Sequence, residues 1–328
     1  MPYTHLTLAE RKVLYFMRWQ GFSFSAIGQA LGRHKSTLSR EIKRNTTSGQ
    51  QYDPGSGDTR YRGARRNLAV RSKTKDARLM AYVVARLKEG WAPEQIAGRM
   101  RREQRQGRRK RTISAQTIYR YIWEDKAHNG NLFKYLRHRG KPYRSRKGGG
   151  RRVIIRDRVL IDERPEIVEQ RGRVGDWEGD TMVGRAHRSF VATCVERTTQ
   201  YLVAHKMDDK RACSLNRAFK AGFRSVPREL VQTLTFDNGT EFAAFKDLEA
   251  HFDADVFFAH PYSSWERGLN ENTNGLLRQF IPKKTDLNQV SHEELDIYVN
   301  RLNNRPRKKL DYRTPREALQ EAIVALRT

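Results

Sequence analysis

The 328-residue sequence predicts an α+β protein, with all-α helix-turn-helix units at the N terminus and an α/β domain on a mixed five-stranded sheet behind them. Three observations predict this. Apolar residues recur at helical spacing in the front of the chain, with glycines at the turns. Short β-rich runs separated by polar turns begin after residue 153. The charge changes at the same place: residues 1–150 hold 35 Lys and Arg against 10 Asp and Glu, a net +25, and the remainder 30 against 27, a net +3. The expected divisions are a helix-turn-helix domain at 1–46, a basic linker or helical segment at 47–90, a second helix-turn-helix-like domain at 91–136, a basic linker at 137–152, and the α/β domain with C-terminal helices at 153–328.

Thr7 and Glu10 have the spacing of a capping box, in which hydroxyl and carboxylate each satisfy a free backbone N–H. Val13, Leu14 and Met17 carry the helical period to Gly21. Ser25 is placed to cap a second short helix, with Ile27, Ala30 and Leu31 inward. Gly32 ends it, because glycine takes a positive φ without steric cost. A third helix opens at Ser36, burying Leu38 and Ile42. In a helix-turn-helix the second helix of the pair presents its N-terminal residues to base edges. Arg33, Lys35, Ser36, Thr37, Ser39, Arg40, Lys43 and Arg44 are therefore the candidate DNA contacts, a plain three-helix bundle being the alternative.

Residues 46–75, rich in Gly, Ser, Thr and Arg, read as a linker plus a basic helix. Trp91 starts the second unit, and Pro93 suits a first helical turn. The run 99–111 is too charged for a core. It reads as a basic loop against phosphates or as a helix extension broken at Gly107. Ser114 caps a helix with Ile118, Tyr121 and Ile122 on one side and Gln116, Thr117 and Arg120, further candidate DNA contacts, on the other. A basic half of this size repels itself unless a polyanion neutralises it. Double-stranded DNA is the expected partner, since phosphate contacts release counterions and supply affinity.

Composition excludes other classes. No run approaches the roughly 20 apolar residues that span a bilayer, and the first residues lack a signal-peptide pattern, so a cytoplasmic, nucleoid-associated protein is expected. Cys194 and Cys213 give no disulfide framework and, with scattered histidines, no zinc cluster. Both are expected to be reduced core residues. There is no Gly-x-Ser-x-Gly elbow and no Gly-rich phosphate loop, so no nucleotide cofactor is expected.

In the back half, Asp180–Gly184, Phe190–Val195 and Tyr201–His205 read as an antiparallel three-strand meander. A helix at 211–225, a strand at Val231–Phe236, a helix from Glu241 to Phe252 and a strand at Val256–Ala259 follow, then a last helix. That order is the one found in ribonuclease-H-like folds. Asp180 lies on the first strand, Asp237 ends the fourth, and Glu271 lies on the last helix. Hard cations take oxygen ligands, and two Mg²⁺ ions roughly 3.5–4 Å apart can activate an attacking oxygen and stabilise a leaving one. One alternation places Asp176, Glu178 and Asp180 on the same strand face, so Glu178 is either a supporting group or the ligand instead. Glu266 and Glu271 lie about 140° apart around a helix and cannot both face one site. Arg267, Glu271, Asn274 and Arg278 share a polar face, which suits contact with DNA. Glu241 is read as capping or bracing the next helix. A single carboxylate of this kind is more often a solvated surface charge than a ligand.

The segments Leu31-Gly-Arg-His-Lys-Ser-Thr-Leu-Ser-Arg-Glu-Ile42, Trp91-Ala-Pro-Glu-Gln-Ile-Ala97, Thr117-Ile-Tyr-Arg-Tyr-Ile122, Trp177-Glu-Gly-Asp-Thr181, Phe236-Asp-Asn-Gly239 and 262–275 resemble the insertion-sequence-thirty family of bacterial DDE transposases. The 33 residues between Asp237 and Glu271 match that family's spacing. Retroviral-type integrases share the fold but carry an N-terminal zinc module, which this sequence lacks. The resemblance implies an integrase-type catalytic domain with Asp180, Asp237 and Glu271 as catalytic metal ligands for two Mg²⁺ ions, with Mn²⁺ as a substitute. It implies a basic front that binds terminal inverted repeats, strand cleavage at the element's end, and attack of the freed 3′-hydroxyl on target DNA by a homodimer or higher oligomer. A DNA-binding repressor without chemistry and a plain nuclease of the same fold are the alternatives.

Overall fold

The computed structural model describes residues 5–46, 51–70, 73–137, 155, 157–261 and 263–327. The expected linker at 137–152 lies outside them apart from Arg137. The chain forms two compact units, Met1–Met80 and Ala81–Thr328.

In the first unit α1 (Leu8–Trp19), α2 (Phe24–Leu31), α3 (Lys35–Asn45) and α4 (Pro54–Val70) surround Leu6, Leu14, Ile27, Leu38 and Tyr52. The Thr7–Glu10 capping box forms, and Gly32 ends α2 at φ 62°. Other details differ. Val13 is exposed, since a neighbour of the inward Leu14 turns about 100° away. Ser23 rather than Ser25 caps α2, and Ala30 lies on its solvent side. His34 rather than Ser36 caps α3, its ring Nδ1 accepting the Ser36 N–H at 3.3 Å. Arg11 is buried beneath this bundle. Its guanidinium donates to Glu41 at 2.6 Å, to the Leu6 carbonyl at 2.7 Å and to Asp58 at 3.2 Å, so one charge ties α1 to α3 and α4.

After α5 (Ala77–Lys88), the second unit continues with α6 (Pro93–Arg105) and α7 (Ala115–Ala127), which pack on each other through Ile96, Met100, Ile118 and Ile122. Pro93 is in the first turn of α6 and Ser114 caps α7. The basic run is a helix extension as far as Arg105. Its arginines meet carboxylates of the C-terminal segment: Arg99 grips Glu317 through two bonds of 2.7 Å, and Arg102 and Arg105 reach Asp311 at 2.6 and 2.9 Å.

The back half is a sheet of six strands: β1 (Val159–Leu160), then, after the short α8 (Glu166–Glu169), β2 (Asp176–Val183), β3 (Phe190–Glu196), β4 (Leu202–Met207), β5 (Thr233–Phe236) and β6 (Asp255–Phe258). Their order is β1-β6-β5-β2-β3-β4. The expected five strands are joined by β1, which pairs parallel to β6 over two residues, too few to leave a period in the sequence. The β2–β3–β4 meander is antiparallel, and β2, β5 and β6 run parallel. One face packs Trp177, Cys194, Phe236 and Phe258 against α9 (Ala212–Gly222) and α10 (Phe245–Phe252). The other packs Met182, Val191 and Leu202 against α11 (Gly268–Leu277) and α12 (His292–Asn303). The C-terminal helix is α13 (Pro315–Ala325). Cys194 is in the core as expected, but Cys213 is exposed: it lies in the first turn of α9, whose inward face is carried by Leu215, Ala218 and Phe219.

Candidate active site

The β2–β5 ladder decides the site's geometry. Asp176 pairs with Thr233, Trp177 with Leu234 and Glu178 with Thr235, and the same offset of 57, continued past the last pair, puts Asp237 just beyond β5 opposite Asp180. Alternation puts Asp176, Glu178 and Asp180 on the α11 face with their opposite numbers on β5. The Thr233 hydroxyl donates to Asp176 at 2.9 Å, which confirms that these side chains share a face.

Helix α11 crosses this face. The Arg267 guanidinium, just before it, is buried and donates to the Gly179 carbonyl at 2.8 Å and to Asp237 Oδ2 at 3.0 Å. Asn274 Nδ2 donates to Asp180 Oδ2 at 2.9 Å, and its own oxygen accepts the Thr193 hydroxyl at 3.0 Å. Arg278 donates to the Val183 carbonyl at 2.7 Å. These three residues, expected to touch DNA, thus turn their polar groups to the sheet. The helical stripe was legible in the sequence, but what it would lie against was not. Asp237 Oδ1 also accepts the Gly239 N–H at 2.9 Å.

Burial pushes the Asp180 carboxyl up to about 6. The Arg267 charge opposes the shift and the Asp237 charge adds to it. A cation between the two aspartates would relieve both the desolvation and the repulsion, so this oxygen donor set fits a divalent ion. The third carboxylate differs from expectation. Glu271 is exposed, and among the described residues no three His, Cys, Asp or Glu side chains are placed to hold one ion. Glu271 nevertheless sits between Arg267 and Asn274 on the helical stripe, spaced four and three residues from side chains that touch Asp237 and Asp180. Glu178, the alternative ligand, has both carboxylate oxygens engaged: one takes Arg197 Nη1 at 3.2 Å, the other the Asn270 N–H at 3.0 Å. Glu241 is buried and pairs with Lys210, just ahead of α9, at 3.3 Å, rather than with the helix α10 that follows it.

In the front unit Lys35, Ser39, Arg40, Lys43 and Arg44 are exposed on α3, and Ser36 and Thr37 half-buried. Arg33 pairs with Glu10 at 2.8 Å. Ser36 bonds to both His34 and Arg40. A groove of about 620 Å³ along α3 is lined by His34, Ser36, Thr37, Arg40, Arg44 and, from α4, Arg60. His34 and Arg60 were not among the sequence candidates. On α7, Gln116 and Arg120 are exposed, while Thr117 is partly buried against the Ser114 hydroxyl at 2.8 Å.

Residues 2–45 match the helix-turn-helix domain family and residues 171–264 the integrase core domain family. The transposase for insertion sequence element IS4351 of Bacteroides fragilis is 40% identical over 97% of this chain and 96% of its own length. Transposase InsI for element IS30A of Escherichia coli K12 is 37% identical over 97% of this chain and 84% of its own. The chain belongs to the IS30 family of transposases. It is accordingly a polynucleotidyl transferase of the DDE class with a DNA-binding helix-turn-helix front. Another relative, the transposase for insertion sequence element IS1086 of Cupriavidus metallidurans, is 35% identical over 98% of the chain. The catalytic core domain of BIV integrase aligns with 48% of the chain at 17% identity and a TM-score of 0.39. No helix among the described residues is long and apolar enough to cross a membrane.

Proposed function

We propose that Asp180, Asp237 and Glu271 are the ligands of two Mg²⁺ ions, replaceable by Mn²⁺. In this reading the transposase cuts and joins DNA at the terminal inverted repeats of its own element, as a dimer or larger assembly at the nucleoid in the cytoplasm. The observation that carries the reading is the β2–β5 register, which continued two residues past its last pair puts Asp237, just beyond β5, opposite Asp180, whose carboxyl is raised by burial and by the Asp237 charge. When bound, the ions supply activation of the attacking oxygen and stabilisation of the leaving one.

The protein's own groups do the positioning. Asn274 and the Thr181 N–H, which donates to Asp180 Oδ1 at 2.8 Å, hold that carboxylate in one rotamer. Arg267, just ahead of α11, braces Asp237. Glu271, exposed on the same stripe, would complete the ligand set. A water oxygen first displaces the 3′-oxygen at the element's end, leaving a 3′-hydroxyl and a 5′-phosphate. That hydroxyl then displaces a 3′-oxygen in target DNA. The exposed cations of α3 hold phosphates and base edges in the front unit. Purified Asp237→Asn in Mg²⁺ is expected to bind an inverted-repeat duplex in a gel shift as the parent does, yet yield neither nicked nor joined product. Unchanged strand transfer would overturn the assignment, and equal affinity for random DNA would overturn repeat recognition.

A further inference from the structure

The residue before Glu271 is fastened twice to the residue two before Asp180. The Asn270 backbone N–H donates to the Glu178 carboxylate at 3.0 Å, and the Asn270 side-chain amide donates to the Glu178 carbonyl at 2.6 Å. Both residues are buried, at 1% and 2% exposure. No side chain from its own N-cap residue caps α11. The Glu178 carboxylate, arriving from β2, takes one of the free N–H groups of the helix's first turn, where a negative charge is favoured. Arg197, itself buried and bonded to Glu178 at 3.2 Å, balances that charge and fixes the carboxylate.

We propose that Glu178 is a positioning residue for the carboxylate centre: with Asn270 it sets the rotation and register of α11 on β2, and through them the place of Glu271 relative to Asp180 and Asp237. The inference rests on the reading of those three as metal ligands. A slip of one residue would turn the helix by about 100° and shift it about 1.5 Å, which would carry Glu271 away from the two aspartates. Both Asn270 contacts go to Glu178 rather than to Asp180 or Asp237. The consequence of losing one is therefore a looser metal site on an intact protein, not a lost ligand.

The test compares Glu178→Gln, Asn270→Ala and Glu271→Gln in the full chain. The readouts are the rise in melting temperature on Mg²⁺ titration, the Mg²⁺ needed for half-maximal nicking, kcat and KM for the repeat duplex, and the gel shift. Glu178→Gln and Asn270→Ala are expected to keep DNA affinity and KM. Both should raise the Mg²⁺ requirement about 10- to 100-fold, in the thermal titration as well as in nicking, and lower kcat at fixed Mg²⁺. Should Glu178→Gln fail to fold because Arg197 loses its partner, Asn270→Ala decides alone. An unchanged Mg²⁺ requirement in Asn270→Ala overturns the proposal. Glu271→Gln separates the two layers. If it loses the Mg²⁺ response while the other two behave as the parent, only the positioning role fails. If it keeps the full response, the ligand assignment fails and the positioning role with it.

Discussion

Asp180→Asn is expected to stabilise the metal-free protein while ending its chemistry. A carboxyl raised from 3.8 to about 6 is shifted by about two units, and each unit is worth 1.36 kcal/mol, so the charged side chain costs the fold on the order of 3 kcal/mol at neutral pH. The amide removes that cost if it can be hydrogen-bonded. The Thr181 N–H still finds an oxygen, but the new NH₂ group meets Asn274 Nδ2. A flip of the Asn274 amide resolves this, because the Thr193 hydroxyl it contacts can accept as well as donate. A net gain of about 1–3 kcal/mol remains, or about 2–4 °C of melting temperature per kcal/mol for a unit of this size. The pH dependence has a definite sign. A raised folded pKa means that the fold favours the protonated acid, so wild-type stability from this group is full below 3.8 and lost as pH rises through 6. The variant should therefore match the parent near pH 3.5 and lead it increasingly up to pH 7. Calorimetry in EDTA across that range measures the difference, and added Mg²⁺ should raise the parent's midpoint but not the variant's. A variant that melts at or below the parent at pH 7.5, or a difference that ignores pH, would refute the account of Asp180 as a carboxylate buried at a cost.

Other outcomes follow from packing and charge. A Cβ at Gly98 on α6 would lie 2.0 Å from Tyr312 Cε1, so Gly98→Ala should cost about 1–3 kcal/mol despite alanine's better helix propensity. A thermal midpoint equal to the parent's would show that Tyr312 moves aside freely. Replacing both Lys43 and Arg44, exposed in the last turn of α3, with alanine should flatten the log–log salt dependence of DNA binding by about 0.9 for each phosphate no longer neutralised. An unchanged slope would place the DNA elsewhere on this unit.

Local chemistry made much of the architecture legible. The Thr7–Glu10 box, Gly32, Pro93 and Ser114 act within a few residues of themselves, and each sits where its own backbone requirement places it. The meander and the next two strands were visible because they are short β-rich runs separated by polar turns. Features whose partners are distant were not. Arg99, Arg102 and Arg105 looked free for phosphates because Glu317 and Asp311, which they meet, lie more than 200 positions away. The two-residue β1 is too short to show a period, and the α9 pattern did not say which side Cys213 would take.

The candidate site divides along the same line. Sequence alone determined which acids could act, how they are spaced, and that Arg267, Glu271, Asn274 and Arg278 share one stripe of a helix, because helical and strand periods are properties of the backbone. Only the tertiary structure decided that the register of β2 on β5 brings Asp237 toward Asp180, that Arg267, Asn274 and Arg278 turn to the sheet while Glu271 stays exposed, and that Glu178 grips Asn270. Those facts depend on strand register and on the angle at which a helix crosses a sheet. Both are set by the burial of Met182, Leu276 and Leu277 and their neighbours together, which no single segment encodes.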